Sequence, residues 1–452
     1  MKKTNLLFIL MTVILSCTIN FQTKTSFPAV HSSNPVIIIP GMLGSQLVDP
    51  ENGNVIWGKI IDLKAVGPHE ALINEEIDGI ELPTNLRPIQ RNRDRLIPSS
   101  IITRYKMVNR IMEVKIYQGL VETLSSCGLR EGDIQKCTAQ DNLFLFPYDW
   151  RRDLVESAVL LGERIEEIKR VYHNPDQRVT IIAHSMGGLI AKYYLMYGQK
   201  DVLTGINDNG QLAEPDYSGA KNVDKVFFLG TPYHGSVFAF KTLHEGTDLM
   251  PFVSISRWAT FTMPSLYQML PLDSKTFIFN EEGNPIDFDL YDVQTWIDYG
   301  ISIFNEMEWD SFEQQCSIYY PDQGEFLAHQ RRIEFVEFVR MALERGKYFN
   351  IVLNKLEWDS METEHYIIAG NCNPTLSGVI LVKTTSGKNE FQIVKKRIFS
   401  NKYFLTDMGD KTVLYRDQSR ELNSADDNLT GCFIHYRLLS YPEVQQMIIQ
   451  HL

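Results

Sequence analysis

The sequence predicts a doubly wound α/β fold, and three observations carry that prediction. First, short apolar runs rich in β-branched residues recur along the chain: "PVIII" (35–39), "VTIIA" (179–183), "KVFFL" (225–229) and "HYIIA" (365–369). Runs of that length and composition belong to strands buried on both faces, as in a parallel sheet. Second, between two of these runs Leu154, Ala158, Leu161, Ile165, Ile168 and Tyr172 recur at steps of three and four, the apolar stripe of an amphipathic helix. Third, strand and helix patterns alternate, which places helices on both faces of a mostly parallel sheet.

Composition sets the outer bounds. At 452 residues, 44% hydrophobic and 22% charged, the chain is globular and long enough for one large domain with insertions or for two domains. A net charge of −12 disfavours nucleic acid, because phosphate contacts need basic patches, and no run of like charge forms a tail.

At the N-terminus Lys2 and Lys3 precede the apolar run Leu6 to Leu15, too short to span a bilayer and suited to the apolar region of an export signal. The next residues, Ser16 and Cys17, complete "ILSC", which looks like a lipoprotein box with Cys17 as the lipidated residue; plain cleavage and retention as an uncleaved anchor stay open. An exported chain can oxidise its thiols, and Cys127 with Cys137, close together in a polar stretch, is the easiest pair to form. The scattered cysteine spacing matches no zinc or haem pattern.

The core reads as 34–57, 111–237 and 351–452, interrupted by 58–110 and 238–350, neither of which has a clean strand pattern. The second interruption is rich in aromatic residues, as in "MPFVSISRWATFTMPSLYQML". Two readings follow: an inserted cap that needs its own core, or a cap presenting apolar side chains to a lipid.

The stretch "RVTIIAHSMGGLIAKYYL" (178–195) runs from strand through Ser185 into a helix pattern. That context defines a nucleophile elbow, a strained turn that lifts the serine hydroxyl above the sheet edge. Small neighbours are required where strand and helix close on each other, and Ala183 and Gly187 supply them, while Gly188 lets the helix start close to the sheet.

A serine nucleophile needs a base and an acid, which in such a fold follow it in the order Ser, Asp, His. "TDMGDKTVLYRD" (406–417) offers Asp410 at a strand end, where Gly409 permits the turn; Asp407, Asp417, Asp426 and Asp427 compete. The base is His435, in a loop just before Ser440-Tyr441-Pro442-Glu443, which reads as a capping box opening a final helix. His184, beside the nucleophile, is expected to point away from it.

Two backbone donors must hold the developing oxyanion, each worth on the order of 3 kcal/mol. One is the N–H of Met186, next after the nucleophile. The other comes from "PVIIIPGMLGSQL" (35–47), a strand followed by two glycines that let the backbone approach a ligand; Leu43 is the first choice and Met42 the second. Met42 and Trp57 are the residues expected to line the substrate site.

Six ordered motifs then carry a resemblance: "IIIPGMLGSQL", "FPYDWRRDL" (146–154), "AHSMGGLIAKYY" (183–194), "FLGTPYHGS" (228–236), "GDKTV" (409–413) and "HYRLLSYPEV" (435–444). Together they are similar to the landmarks of the lecithin:cholesterol acyltransferase family, which includes lysosomal phospholipase A2 and the phospholipid:diacylglycerol acyltransferases. The resemblance implies an α/β-hydrolase core with lid and cap, acting on acyl esters of lipids through an acyl-enzyme. By position it implies Ser185 as nucleophile, Asp410 as acid, His435 as base, and Leu43 with Met186 at the oxyanion. It also gives 58–110 the place of the lid and membrane-binding segment.

The chain departs from the family pattern in places. Ala183 replaces a glycine, Lys411 stands where a small residue is usual, Met42 stands where the acyltransferase has a free cysteine, and the lid stretch has no cysteine. The expected chemistry is acyl transfer to water or to a lipid alcohol, with no cofactor. An esterase or thioesterase for small soluble substrates, or a lipid-binding surface protein without catalysis, are the alternatives.

Overall fold

The computed structural model describes residues 28–29, 34–58, 79–85, 88–89, 92–107, 112–204, 212–250, 253–383, 389–392 and 405–452. The expectations for the segment 1–17, with Cys17, and for 59–78 of the lid stretch lie outside the described residues.

Seven strands form the central sheet: β1 (Val36–Ile39), β2 (Glu131–Gly132), β3 (Leu143–Leu145), β4 (Val179–His184), β5 (Val223–Leu229), β6 (Glu364–Gly370) and β7 (Asp427–Gly431). Their order is β7-β6-β5-β4-β1-β3-β2, and every pairing is parallel. The four apolar runs became β1, β4, β5 and β6. Of the other three strands, β3 is apolar but only three residues long, β2 has two residues, and β7, "DNLTG", is a polar edge strand with Leu429 as its one contact to a core.

Alternation along β1 divides the interior in two. Ile37 and Ile39 face one core, and Val36 and Ile38 face the other. Helices α1 (Gln118–Ser126), α2 (Leu154–Val171) and α3 (Met186–Tyr197), then α4 (Glu306–Tyr319) packed on α5 (Gly324–Leu353), and finally α6 (Pro442–His451) follow in chain order, with α1, α2, α3 and α6 against the sheet. The first core takes Leu154, Leu161 and Ile165 of α2 with Leu189 and Ile190 of α3; the second takes Leu120 and Leu124 of α1 with Val444 and Ile448 of α6. The sheet is therefore covered on both faces, as the apolar runs required. Asp153 starts α2 by accepting from the backbone N–H groups of Val155 and Glu156.

The two interruptions contain strands that the sequence pattern hid. Ile97–Ile101 pairs antiparallel with Ser45–Val48, which also pairs with Val55–Trp57, and Arg104–Met107 pairs with Met112–Lys115. A strand in a small outer sheet needs only one covered side, so "IPSSI" can leave most of its residues exposed. In the cap, Thr247–Met250 pairs with Val253–Ile255, and Ile278–Phe279 joins Val379–Lys383.

The aromatic residues of 238–350 pack inward, in one continuous core with the sheet. Trp258 stacks on Phe312 at 5.0 Å between centroids and meets Phe261, Trp309 and Phe335 edge-on or tilted. Trp296 stacks on Tyr267, both wholly buried.

The motif "FPYDWRRDL" ties the layers together. All five N–H groups of the buried Arg151 are used: on Asp149 (2.9 and 2.6 Å), on Asp94 (2.7 and 2.9 Å) and on the Ile80 carbonyl (3.2 Å). Two of these partners belong to the 58–110 stretch. Arg345 of α5 reaches the other way, binding both oxygens of Asp153 and, at 2.9 Å, Asp201.

The cysteine expectation is corrected. Cys372 is bonded to Cys432, while Cys127 and Cys137 are free. Cys127 ends α1 inside the second core, whereas Cys137 packs against the first, so the sheet separates the two sulfurs. Cys372 and Cys432 follow β6 and β7 directly, and those strands are hydrogen-bonded neighbours.

Candidate active site

Parallel register aligns the C-terminal ends of the central strands. Ala183 lies opposite Phe228, Leu229 opposite His184, and Ile368 opposite Leu229, so Ser185, Gly230 and Asn371 emerge at one edge. Ligands of open α/β sheets bind at this edge.

Ser185 has φ 56° and ψ −125°, a conformation that costs a non-glycine residue on the order of 1–3 kcal/mol. Packing holds it there: every residue of α3 is buried, and the Ser185 N–H donates to the Leu229 carbonyl at 2.8 Å. The glycines matter through close approach. A Cβ on Gly187 would lie 2.6 Å from the Pro40 carbonyl oxygen, and one on Gly188 would lie 2.0 Å from Thr231 Oγ1.

His435 sits in a 3₁₀ turn, His435–Ser440, directly before α6. Its Nε2 is 2.8 Å from Ser185 Oγ and its Nδ1 is 2.7 Å from Asp410 Oδ2. The helix start differs from the expected capping box: Tyr441 is the N-cap with no side-chain bond, because Ser440 still belongs to the 3₁₀ turn, and Pro442 alone marks the first turn.

Asp410 is fully buried at the end of the strand Thr406–Gly409, which pairs with Asn373–Leu376 outside the central sheet. Its Oδ1 accepts from the N–H groups of Thr412 (3.0 Å) and Val413 (2.7 Å), leaving Oδ2 for the imidazole. Its carbonyl also accepts from the His435 N–H at 2.9 Å. Gln418 braces this loop, donating to the Val413 carbonyl and accepting from Gly370 N–H. Lys411 adopts φ 81°, the left-handed region that favours glycine, and its side chain is exposed.

The competing aspartates are engaged elsewhere. Asp426 accepts from the His365 N–H, Asp427 pairs with His451, and Asp407 is exposed on its strand. Asp417 lines a separate pocket of about 390 Å³ with Tyr233, His234 and Arg416; burial pushes its carboxyl up to about 6, with Arg416 opposing.

His184 does turn away from Ser185 Oγ, yet it stays in the site. Its Nδ1 lies 2.9 Å from the Tyr117 hydroxyl and its Nε2 lies 3.1 Å from the His435 carbonyl oxygen. Burial, followed by the neighbouring His435, lowers its pKa well below the ordinary value, against the bond to the His435 carbonyl, so the ring is neutral.

The loop after β1 is braced at each step. The Pro40 carbonyl accepts from Tyr148 Oη (2.8 Å), Gly41 N–H donates to Tyr117 Oη (2.9 Å), the Leu43 carbonyl accepts from Trp57 Nε1 (3.0 Å), and the Ser45 carbonyl accepts from Trp150 Nε1 (3.2 Å). Leu43 has φ 66°, a strained conformation for a branched residue. Trp57, expected at the substrate, is 1% exposed and stands behind the loop, edge-on to Trp150. Met42 is half-buried on the loop itself, and Met186 is the first residue of α3. The motif residues Tyr148 and Trp150 were visible in the sequence, but their role as braces was not; Tyr117 carried no signal at all.

A parallel, doubly wound sheet with Ser185 in an elbow at the end of β4, and with Asp410 and then His435 brought to it from loops later in the chain, defines an α/β-hydrolase. The crystal structure of the Tle4–Tli4 complex contains a similar fold, with a TM-score of 0.53 over 92% of this chain and 97% of that one, at 14% identity. The profile of the lecithin:cholesterol acyltransferase family matches residues 104–440, and the chain belongs to that family. Among curated relatives, phospholipase A(1) LCAT3 of Arabidopsis thaliana is 26% identical over 53% of this chain and 53% of its own length. Human lysosomal phospholipase A and acyltransferase is 25% identical over 47% of this chain and 50% of its own. An uncharacterized protein of Saccharomyces cerevisiae, YJR098C, is 26% identical over 63% of this chain and 36% of its own length. The chain thus spans about half the length, or less, of these relatives.

Proposed function

We propose that this chain transfers acyl groups from lipid esters through an acyl-serine on Ser185. The observation that carries the reading is the continuous bonding path Asp410 Oδ2, His435 Nδ1, His435 Nε2, Ser185 Oγ, at 2.7 and 2.8 Å. His435 Nε2 takes the Ser185 proton as Oγ attacks the ester carbonyl, and Asp410 orients the ring and stabilises its charged form. The oxyanion is held by the N–H groups of Leu43 and Met186. Collapse of the intermediate expels the alcohol or lysolipid, which takes the proton from His435. Water or a lipid hydroxyl then attacks the acyl-serine, with His435 again as base.

Family membership supports a lipid ester as acyl donor. The acceptor is read by mass spectrometry of products from labelled phospholipid vesicles, with and without an added sterol or diacylglycerol. Free fatty acid alone identifies a hydrolase; a new acylated alcohol identifies a transferase. One observation favours a smaller, soluble substrate: aromatic residues of 238–350 are used inside the protein's own core. Rates on monomeric and vesicular substrate separate the two, and no preference for vesicles would overturn the lipid assignment. A binding protein without catalysis would show no turnover of a short-chain p-nitrophenyl ester.

Export belongs to the same proposal. The Cys372–Cys432 disulfide supports it, since such bonds are rare in a reducing cytosol. Fractionation of cells producing the full chain tests it.

A further inference from the structure

We propose that Tyr117 and His184 are positioning residues, a single neutral hydrogen-bonded brace that holds the oxyanion loop and the main chain of His435 at a fixed separation around Ser185. The inference rests on the acyl-serine reading above and extends it to two residues that touch neither substrate nor the reacting atoms.

Proton counting shows that the brace has only one arrangement. The Gly41 N–H can only donate, so Tyr117 Oη accepts it at 2.9 Å. On the neutral ring His184 Nδ1 is an acceptor, and the Tyr117 hydroxyl lies 2.9 Å from it, placed to donate. The His435 carbonyl oxygen can only accept, so the proton on His184 must sit on Nε2, 3.1 Å away. The chain runs in one direction: Gly41 N–H to Tyr117 O–H to His184 Nδ1, and His184 Nε2–H to the His435 carbonyl. The low pKa of the buried ring agrees with this arrangement.

The brace joins segments that are remote in sequence and must agree in space. Gly41 opens the loop that carries Leu43, and a Cβ at Gly41 would lie 2.8 Å from Ser185 Cβ and 3.3 Å from His184 Nδ1. At the far end, the His435 peptide is gripped on both sides, its N–H by the Asp410 carbonyl at 2.9 Å and its carbonyl by His184. That grip sets where the His435 ring lies between Asp410 and Ser185. Tyr117 itself is 2% exposed at the start of α1, so its hydroxyl has little freedom to wander. Reacting groups displaced by about 1 Å lose up to a hundredfold in rate, so the brace acts on turnover rather than on substrate affinity.

The test is kinetic, on a soluble p-nitrophenyl ester, with folding followed by circular dichroism and active sites counted by fluorophosphonate labelling. Wild-type turnover that disappears in Ser185→Ala establishes the underlying reading; if it does not, that reading fails whatever the brace does. Given that result, Tyr117→Phe should lower kcat by about ten- to a hundredfold with KM within about twofold. His184→Gln places an amide N–H where Nε2 stood and should lose far less kcat than His184→Asn, whose shorter amide cannot reach the His435 carbonyl. The double variant Tyr117→Phe with His184→Asn should be no worse than the poorer single variant, as expected of groups acting as one unit. Wild-type kcat in folded Tyr117→Phe, equal losses for the glutamine and asparagine variants, or additive losses would each overturn the proposal. A neutron structure of the wild-type protein needs no variant to fold: deuterium on His184 Nε2 alone supports the brace, and deuterium on Nδ1 sinks it.

Discussion

Around Ser185 a single buried carboxylate, Asp410, ends a run of uncharged donors and acceptors, whereas around Arg151 and Asp153 the buried polar groups are joined by pairs of opposite charges. In the first region one tyrosine, two histidines and a run of backbone groups share protons at 2.7 to 3.1 Å. In the second, Arg151 and Arg345 are locked to Asp149, Asp94, Asp153 and Asp201. Burial works against the Arg151 charge, but Asp149 and Asp94 outweigh it and raise its pKa. Arg151 and Arg345 therefore keep their charge, and they fasten the 58–110 stretch and the 238–350 stretch to the core. The region around Ser185 has to move a proton between Ser185 and His435, and uncharged side chains and backbone groups hold those two in place. The contrast teaches that this molecule separates assembly from chemistry, using charge for one and neutral positioning for the other.

The comparison can be broken from either side. The largest effect is expected from Ser185→Ala, which should reduce ester turnover by a factor on the order of 10⁴ or more while leaving the denaturation midpoint nearly unchanged. Arg151→Met should do the reverse. It strands Asp94 and Asp149 without a partner and should cost about 3–5 kcal/mol in denaturant unfolding, with kcat per folded molecule changed little.

Acid should separate the regions next. Below pH 6.5 the unfolded chain protonates histidines that the fold keeps neutral: His184, and His244 and His365, both lowered to about 4 chiefly by burial. Stability is thus lost as pH falls from about 6.5 to 4. Asp417 acts in the opposite sense, since its folded value of about 6 lets the native state hold a proton that the unfolded chain releases. His234 is lowered to about 4 in the same sense, while burial raises Glu81 and Glu156 as it does Asp417; with four histidines against three carboxyls the net change should be a loss of about a few kcal/mol at most, measured by denaturant titration across that range. The smallest effect is expected from Lys411→Gly. A residue at φ 81° is strained, and relieving it beside Asp410 should stabilise the protein by about 1 kcal/mol or less, with activity retained.

The sequence alone determined the features that depend on near neighbours in the chain. Four of the central strands, the helix from Leu154, the elbow at Ser185, the glycine-bearing loop after β1, and the strand end at Asp410 are local patterns, because secondary structure and tight turns are decided over a few residues. The order Ser, Asp, His narrowed the acid and the base to residues that lie 2.7 and 2.8 Å from their partners. Only the tertiary structure decided what depends on residues far apart in the chain. It chose Cys432 for Cys372, turned the cap's aromatics inward, moved Trp57 behind the loop, and brought Tyr117 and His184 between Gly41 and His435. A hydrogen bond or disulfide leaves no periodicity in the chain when its partners are separated by 14 to 251 residues, so those choices appear only once the packing has placed both ends together.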